Sequence, residues 1–157
     1  MQLLNLSTRS GGGDEKLCSR YAEDIKKSLC KVALDYPAEL EHLTEDARQE
    51  YKLPDGQVIN MGDEILRAPE VLFDGAGEES LGIHQAIIDV INKKIDSAER
   101  VPLYGNIIIT GGSSLLTGMQ ERLSKEVREL APTKIHRKDV TVRVIRVLLF
   151  TTSARKK

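Results

Sequence analysis

The residues of this chain with useful chemistry fall on two stretches. The first is Thr110-Gly111-Gly112-Ser113-Ser114, which follows Ile107-Ile108-Ile109 and precedes a periodic segment from Met119 to Leu130. That order reads as a buried strand, a glycine-rich turn and a helix. In open α/β sheets such turns lie at the carboxyl ends of strands, where ligands bind. Glycines let a ligand approach the backbone, and successive N–H groups there cradle anions. Two glycines also serve simply to turn a chain. The second stretch is Lys26-Lys27, which flanks an apolar stripe near the end of a helix, where positive charge is favourable to the helix dipole. His42, His84 and His136 are scattered, and Cys18 and Cys30 have no metal-ligand spacing. No catalytic residue and no metal ligand is assigned.

Composition frames what can position these groups. A chain of 157 residues is the size of one ordinary domain, and buries roughly 70% of its unfolded surface. Hydrophobic content of 40% and charged content of 30% fit a soluble globular protein. A net charge of −1 argues against bulk attraction to nucleic acid or an anionic membrane. No apolar run approaches the roughly 18 residues of a membrane span, and no secretory signal is read at the start. Two cysteines without a framework fit a cytosolic or nuclear setting.

The elements follow from periodicity. Met1 to Leu6 reads as the end of a helix, broken by Gly11-Gly12-Gly13. Asp14 caps a helix whose stripe is Leu17, Tyr21, Ile25 and Leu29. Val32-Ala33-Leu34 is expected as a short strand that Pro37 stops, and 38–50 as a loose helix or loop. Pro54-Asp55-Gly56 joins two short apolar runs as a β-hairpin. Asp63–Leu66 and 70–73 are expected as two short helices divided at Pro69. Asp74–Ser80 is a surface loop, and Ile83, Ile87 and Ile91 mark a helix. A polar stretch, 93–101, then leads through Pro102 into the central strand. Val140, Val142 and Val144 alternate as a strand, and Val147–Phe150 with the basic tail reads as an edge strand and a frayed end.

Taken together, these segments resemble the actin family. Asp24-Ile25-Lys26 with Leu29 to Asp35 resembles its helix-to-strand segment, and Tyr51 to Ile59 is similar to its YELPDGQVI hairpin. Ala68 to Phe73 looks like its CPEALF helix, and Gly82-Ile83-His84 matches its GIH. Leu103 to Ser113 resembles its LYxNxVLSGGT strand and turn, and Leu130-Ala131-Pro132 its LAP. The order and spacing match from about Leu3 to Ile145. The resemblance implies an α/β fold of the actin-like ATPase, ribonuclease H-like type, incomplete here, with a mixed sheet flanked by helices. It implies the end of an outer subdomain at 1–30, an inner subdomain at 31–145 and a divergent tail at 146–157. The family's other phosphate loops, its water-orienting residues and its WIGGS segment have no counterpart here.

The resemblance also implies a cofactor, ATP or ADP with Mg²⁺ in the full family fold, bound weakly or not at all by this part alone. Its binding residues carry over to Lys26, Lys27, Gly111, Gly112, Ser113 and Leu115. Three positions depart from the family: Glu23 stands for an Arg, Lys27 for a ribose-contacting Glu, and Leu116 for the aromatic against adenine. The loop at 74–80 lacks the apolar plug of filament-forming members, so weak filament contacts are expected there. The implied function is a structural or cytoskeletal nucleotide-binding protomer or complex subunit, with little or no ATPase alone. The implied partners are other actin-family protomers or actin-binding and complex subunits, with no direct nucleic acid and no membrane. A cytoplasmic, cytoskeletal setting is expected, with a nuclear chromatin-remodelling subunit as the alternative. A sugar-kinase-like or chaperone-like ATPase on the same ancestral fold fits the hairpin and the CPEALF-like helix less well.

Overall fold

The computed structural model describes residues 14–43, 48–54, 56–75 and 80–145. The expected helix end at 1–6, the break at 11–13, the side chains of Asp14 and Leu17, Asp55, the loop centre at 76–79 and the tail at 146–157 lie outside them. Helix α1 (Asp14–Ser28) forms where the stripe predicts it, and Ile25 is buried in a small core with Leu53, Ile59 and Leu66.

The expected strand at 32–34 does not form. Lys31 makes one isolated parallel bridge with Thr117, and the Val32 N–H donates to the Thr117 carbonyl at 2.8 Å. Helix α2 (Tyr36–Glu41) begins at once, because the Asp35 side chain accepts from the Ala38 N–H and Pro37 sits in the first turn. Proline there lacks an N–H that would have no helical partner anyway. Pro37 therefore opens a helix rather than closing a strand.

Strands β1 (Gln49–Lys52) and β2 (Val58–Met61) form the expected antiparallel hairpin, with Tyr51 opposite Ile59. Gly56 takes φ +89° in its turn, a conformation open to glycine at no steric cost. Helix α3 (Glu64–Asp74) then runs unbroken through Pro69, against the expected division into two. Pro69 cannot donate to the Ile65 carbonyl four residues back. The backbone N–H of Lys31 donates to that carbonyl instead, at 3.2 Å. A tertiary hydrogen bond thus replaces the one that proline removes.

Helix α4 (Ile83–Lys94) matches its periodicity. The polar stretch after it is not a simple lead into the strand. It folds as helix α5 (Ser97–Tyr104), with Pro102 inside. Tyr104 anchors that helix: the side chain is fully buried and its hydroxyl donates to Asn92 at 3.2 Å. Strand β3 (Ile107–Thr110), helix α6 (Met119–Leu130) and strand β4 (Val142–Ile145) complete a β-α-β unit. The strands pair in parallel, with Ile107 opposite Val142. The chain is thus α/β, its antiparallel and parallel pairings lying in two two-stranded sheets among the described residues. Ile107 is buried but Ile108 is 49% exposed, so β3 is buried on one face only. The buried face packs into the larger core, where Met119, Leu123 and Val127 of α6 lie.

An ionic cluster sits inside this core and was not anticipated. Arg122 of α6 donates to both carboxylate oxygens of Glu70 on α3, at 2.9 and 3.3 Å. It also donates to Glu126 at 2.6 Å and to the Ala33 carbonyl at 2.8 Å, and lies over the Phe73 ring at 4.9 Å. One guanidinium therefore ties α3, α6 and the segment after α1 together. Its planar fork suits the bidentate geometry.

His84 begins α4 beside this cluster. It is 8% exposed and stacks on Phe73 with ring centres 5.9 Å apart. Its Nδ1 has no hydrogen-bond partner among the described residues. Burial depresses its pKa below the ordinary 6.5, and the nearby Arg122 charge acts in the same direction. A depressed folded pKa means that the neutral ring contributes stability above about 6.5, lost as pH falls through the folded pKa. Between about pH 7.5 and pH 5.5 the His84→Leu variant should therefore lose less stability than the wild type. Urea unfolding midpoints at the two pH values measure this; parallel losses in the two proteins would contradict it.

Candidate functional site

Helix α1 and the glycine turn after β3 meet across a cavity of about 540 Å³, lined by Glu23, Lys26, Lys27, Gly112, Ser113, Leu115 and Leu116. A volume of this size suits a small-molecule ligand. On α1, residues 23, 26 and 27 are three and four apart and so share one face. The last turn of the helix carries both lysines.

The turn is shaped by its glycines. Gly111 adopts φ +98°, a conformation that strains any residue with a Cβ. Residues Gly112–Leu115 then form a single 3₁₀ turn. Both the backbone N–H and the hydroxyl of Ser114 donate to the Gly111 carbonyl, at 3.2 and 2.7 Å. A Cβ built on Gly112 would meet nothing within 4 Å. The backbone there is open to the cavity, as close approach by a ligand requires.

The turn is held against α1 by the Lys31–Thr117 bridge. Gly118, at φ +84°, packs so tightly that an added Cβ would lie 2.2 Å from the Val32 carbonyl oxygen. That contact and the Val32–Thr117 hydrogen bond set the width of the cavity.

Charge is distributed unevenly around it. Lys27 pairs with Glu23 at 2.6 Å, both side chains being more than half exposed. The hydrogen bond and charge of Lys27 hold the Glu23 carboxyl below its usual range, and Glu23 raises Lys27 in return. Lys26 has no ion-pair partner among the described residues. It is the ammonium available to an anion. A more open cavity of about 560 Å³ lies on the other side of the same turn, beside Gln120, Glu121 and Val144. Its lining has a carboxylate and no cation, so an anionic ligand favours the first.

Five of the six sequence-predicted residues thus line one cavity: Lys26, Lys27, Gly112, Ser113 and Leu115. Gly111 does not line it but sets the turn. Leu115 is 51% exposed and offers apolar surface, whereas Leu116 is 9% exposed and belongs to the core. Glu23 lines the cavity as well, although it was read only as a departure; its spacing from the lysines was the available signal. Cys30 is buried, and burial pushes its thiol up, away from nucleophilic character. Among the described residues no group of three or more acidic, histidine or cysteine side chains could hold a metal, and no helix is long and apolar enough to cross a membrane.

The cavity residues fit a nucleoside polyphosphate in type. Open glycine backbone and a free ammonium suit phosphate oxygens. Leu115 suits a flat apolar group. Any Mg²⁺ would be held chiefly by phosphates and water, as that ion prefers. A protein-family model for actin matches residues 16–154, which takes in both segments of the cavity and the strands and helices between them. By that match over most of its length, with an α/β fold of helices and small sheets, the chain belongs to the actin family.

Proposed function

We propose that this chain contributes one side of an actin-type nucleotide site, taking ATP or ADP with Mg²⁺. The observation that supports it is the convergence of Lys26 and the open Gly112 backbone on one cavity from distant parts of the sequence. In this reading Lys26 neutralises phosphate charge, the amides near Gly112 and Ser113 receive phosphate oxygens, and Leu115 covers the base or sugar. Lys27 offsets the charge of Glu23, so that Lys26 is the net positive charge of the lining. In this reading the role is binding and structural, with little or no ATPase by this chain alone. Residues 1–30 belong on this reading to an outer subdomain, 31–145 to an inner one, and 146–157 to a tail.

Calorimetric titration of the chain with Mg²⁺–ATP tests the site. Saturable binding on the order of 100 μM is expected for a ligand held from one side. Lys26→Ala should weaken it about tenfold, the effect of one lost charged hydrogen bond. No saturable binding at millimolar ATP, or an unchanged affinity in the variant, would sink the reading.

The partners proposed are other actin-family protomers and the proteins that bind them, in a cytoskeletal, cytoplasmic setting. The Glu23–Lys27 pair and the Gly-Ala-Gly-Glu-Glu sequence at 75–79 favour a second role, a non-polymerising subunit of a larger assembly, nuclear remodelling complexes included. Sedimentation with ATP and Mg²⁺ separates the two: a pelletable polymer rules out the second.

A further inference from the structure

We propose that the connection between α6 and β4 docks an acidic peptide segment of a partner protein through Lys134, Arg137 and Lys138. The proposal rests on the partner reading above, to which it adds the partner's chemistry, and not on the nucleotide reading.

Residues 132–139 carry Lys134, His136, Arg137 and Lys138 with a single acid, Asp139. In a chain of net charge −1 this is a local concentration of positive charge. The four basic side chains are exposed, whereas Ile135 among them is 8% exposed and packs in the larger core. Two successive turns hold the segment. The Ile135 N–H donates to the Pro132 carbonyl, and the Asp139 N–H to the His136 carbonyl, both at 2.8 Å. Arg128 of α6 fastens the far end by donating to the Val140 carbonyl at 3.3 Å. The cations therefore stand on a fixed backbone, which lowers the ordering cost of binding.

These cations are also free. Lys27, Lys31, Arg67, Lys93 and Arg122 each pair with an acid. Lys134, Arg137 and Lys138 have no ion-pair partner among the described residues. Leu130, at the end of α6, is 46% exposed and adds apolar surface just before them. An acidic segment with an apolar residue complements both features. A membrane surface fits less well, because one leucine offers little to insert and the chain as a whole is negative. The segment precedes β4, while the glycine turn follows β3, and the two strands run parallel. The docking surface and the nucleotide cavity thus lie at opposite ends of the strand pair.

Fluorescence anisotropy of the full chain with a short labelled peptide of Glu and Asp around one Leu tests the proposal. Saturable binding is expected, lost when Gln and Asn replace the acids. Lys134→Glu with Lys138→Glu should weaken it about tenfold or more, as two attractions become repulsions. Lys52→Glu with Arg67→Glu, an equal change of net charge beside the smaller core, should leave it unchanged. Thermal melts check that both variants stay folded. No saturable binding overturns the proposal and leaves the partner reading to its sedimentation test. Equal weakening in the two variants reduces the effect to net charge and overturns it. Binding of phosphatidylserine vesicles in place of the peptide overturns it too. So does self-association in sedimentation velocity that Lys134→Glu with Lys138→Glu abolishes, since a second copy then covers the surface. The affinity for Mg²⁺–ATP should be the same in this variant as in the wild type.

Discussion

Arg122→Ala is expected to destabilise the protein by about 3–5 kcal/mol, the cost of leaving a buried partner charge uncompensated. Glu70 is 4% exposed and meets Arg122 through two hydrogen bonds. Without the guanidinium, Glu70 loses its charge partner, the Ala33 carbonyl loses its donor, and the Phe73 ring loses the cation above it. The pH dependence gives the effect a signature. Burial already holds the Glu70 carboxyl above its usual range, against the pull of Arg122. Removing Arg122 raises it further. A group whose folded pKa is raised contributes stability below its unfolded pKa, lost as pH rises through the folded pKa. The difference between variant and wild type should therefore be smaller at about pH 5.5 than at about pH 8. His84 reinforces this, because loss of the Arg122 charge eases its protonation. Urea unfolding at both pH values measures the effect. A cost under about 1 kcal/mol, the level of an exposed pair, would show that the cluster is not a buried ionic tie. Replacing both partners, as Arg122→Met with Glu70→Leu, should recover more than half of the loss, because no buried charge of the pair is then left alone.

Gly118→Ala is the second large effect, and it joins stability to the site. At φ +84° a side chain is strained by about 1–2 kcal/mol. The added methyl would lie 2.2 Å from the Val32 carbonyl oxygen, a backbone atom that cannot swing aside. Relief requires the glycine turn to separate from the segment after α1, and such overpacking costs about 1–3 kcal/mol. Together a loss of roughly 3 kcal/mol is expected. The separation would stretch the Val32–Thr117 hydrogen bond and widen the cavity between Lys26 and Gly112. Nucleotide affinity should then fall even under conditions where the variant stays folded. Gly112→Ala is the control: its Cβ meets nothing, so stability should hold while a ligand loses access to the backbone. Thermal melts and ATP titrations of both variants separate the two outcomes. Equal stability of Gly118→Ala and wild type would refute the packing account.

The residues that could be read in sequence are those whose signal is local. The stripes of α1, α4 and α6, the alternation of Val140, Val142 and Val144, the Pro54–Gly56 turn and the Gly111-Gly112 turn all express a period or a φ preference. The helical stripes survive in the fold because burial reinforces what the segment already favours, and the turns because Gly56 and Gly111 take the positive φ they permit. The family resemblance rests on these same segments. Lys26, Lys27, Gly112, Ser113 and Leu115 could be named as one site only through that resemblance, since their spacing in the chain is large.

What tertiary structure alone decided concerns groups satisfied from a distance. Pro69 reads as a helix boundary, yet α3 passes through it because Lys31 supplies a hydrogen bond from another segment. Val32–Leu34 reads as a strand, yet it makes one bridge and gives way to a capped helix. Glu70 and Arg122 lie on separate helices 52 residues apart, and only packing brings them together out of water. The same holds for the site. Local sequence shaped each jaw, the glycine turn and the lysine face of α1. The Lys31–Thr117 bridge and the close fit of Gly118 against Val32 set the distance between them, because hydrogen bonds and steric contacts between remote segments exist only once the chain has folded.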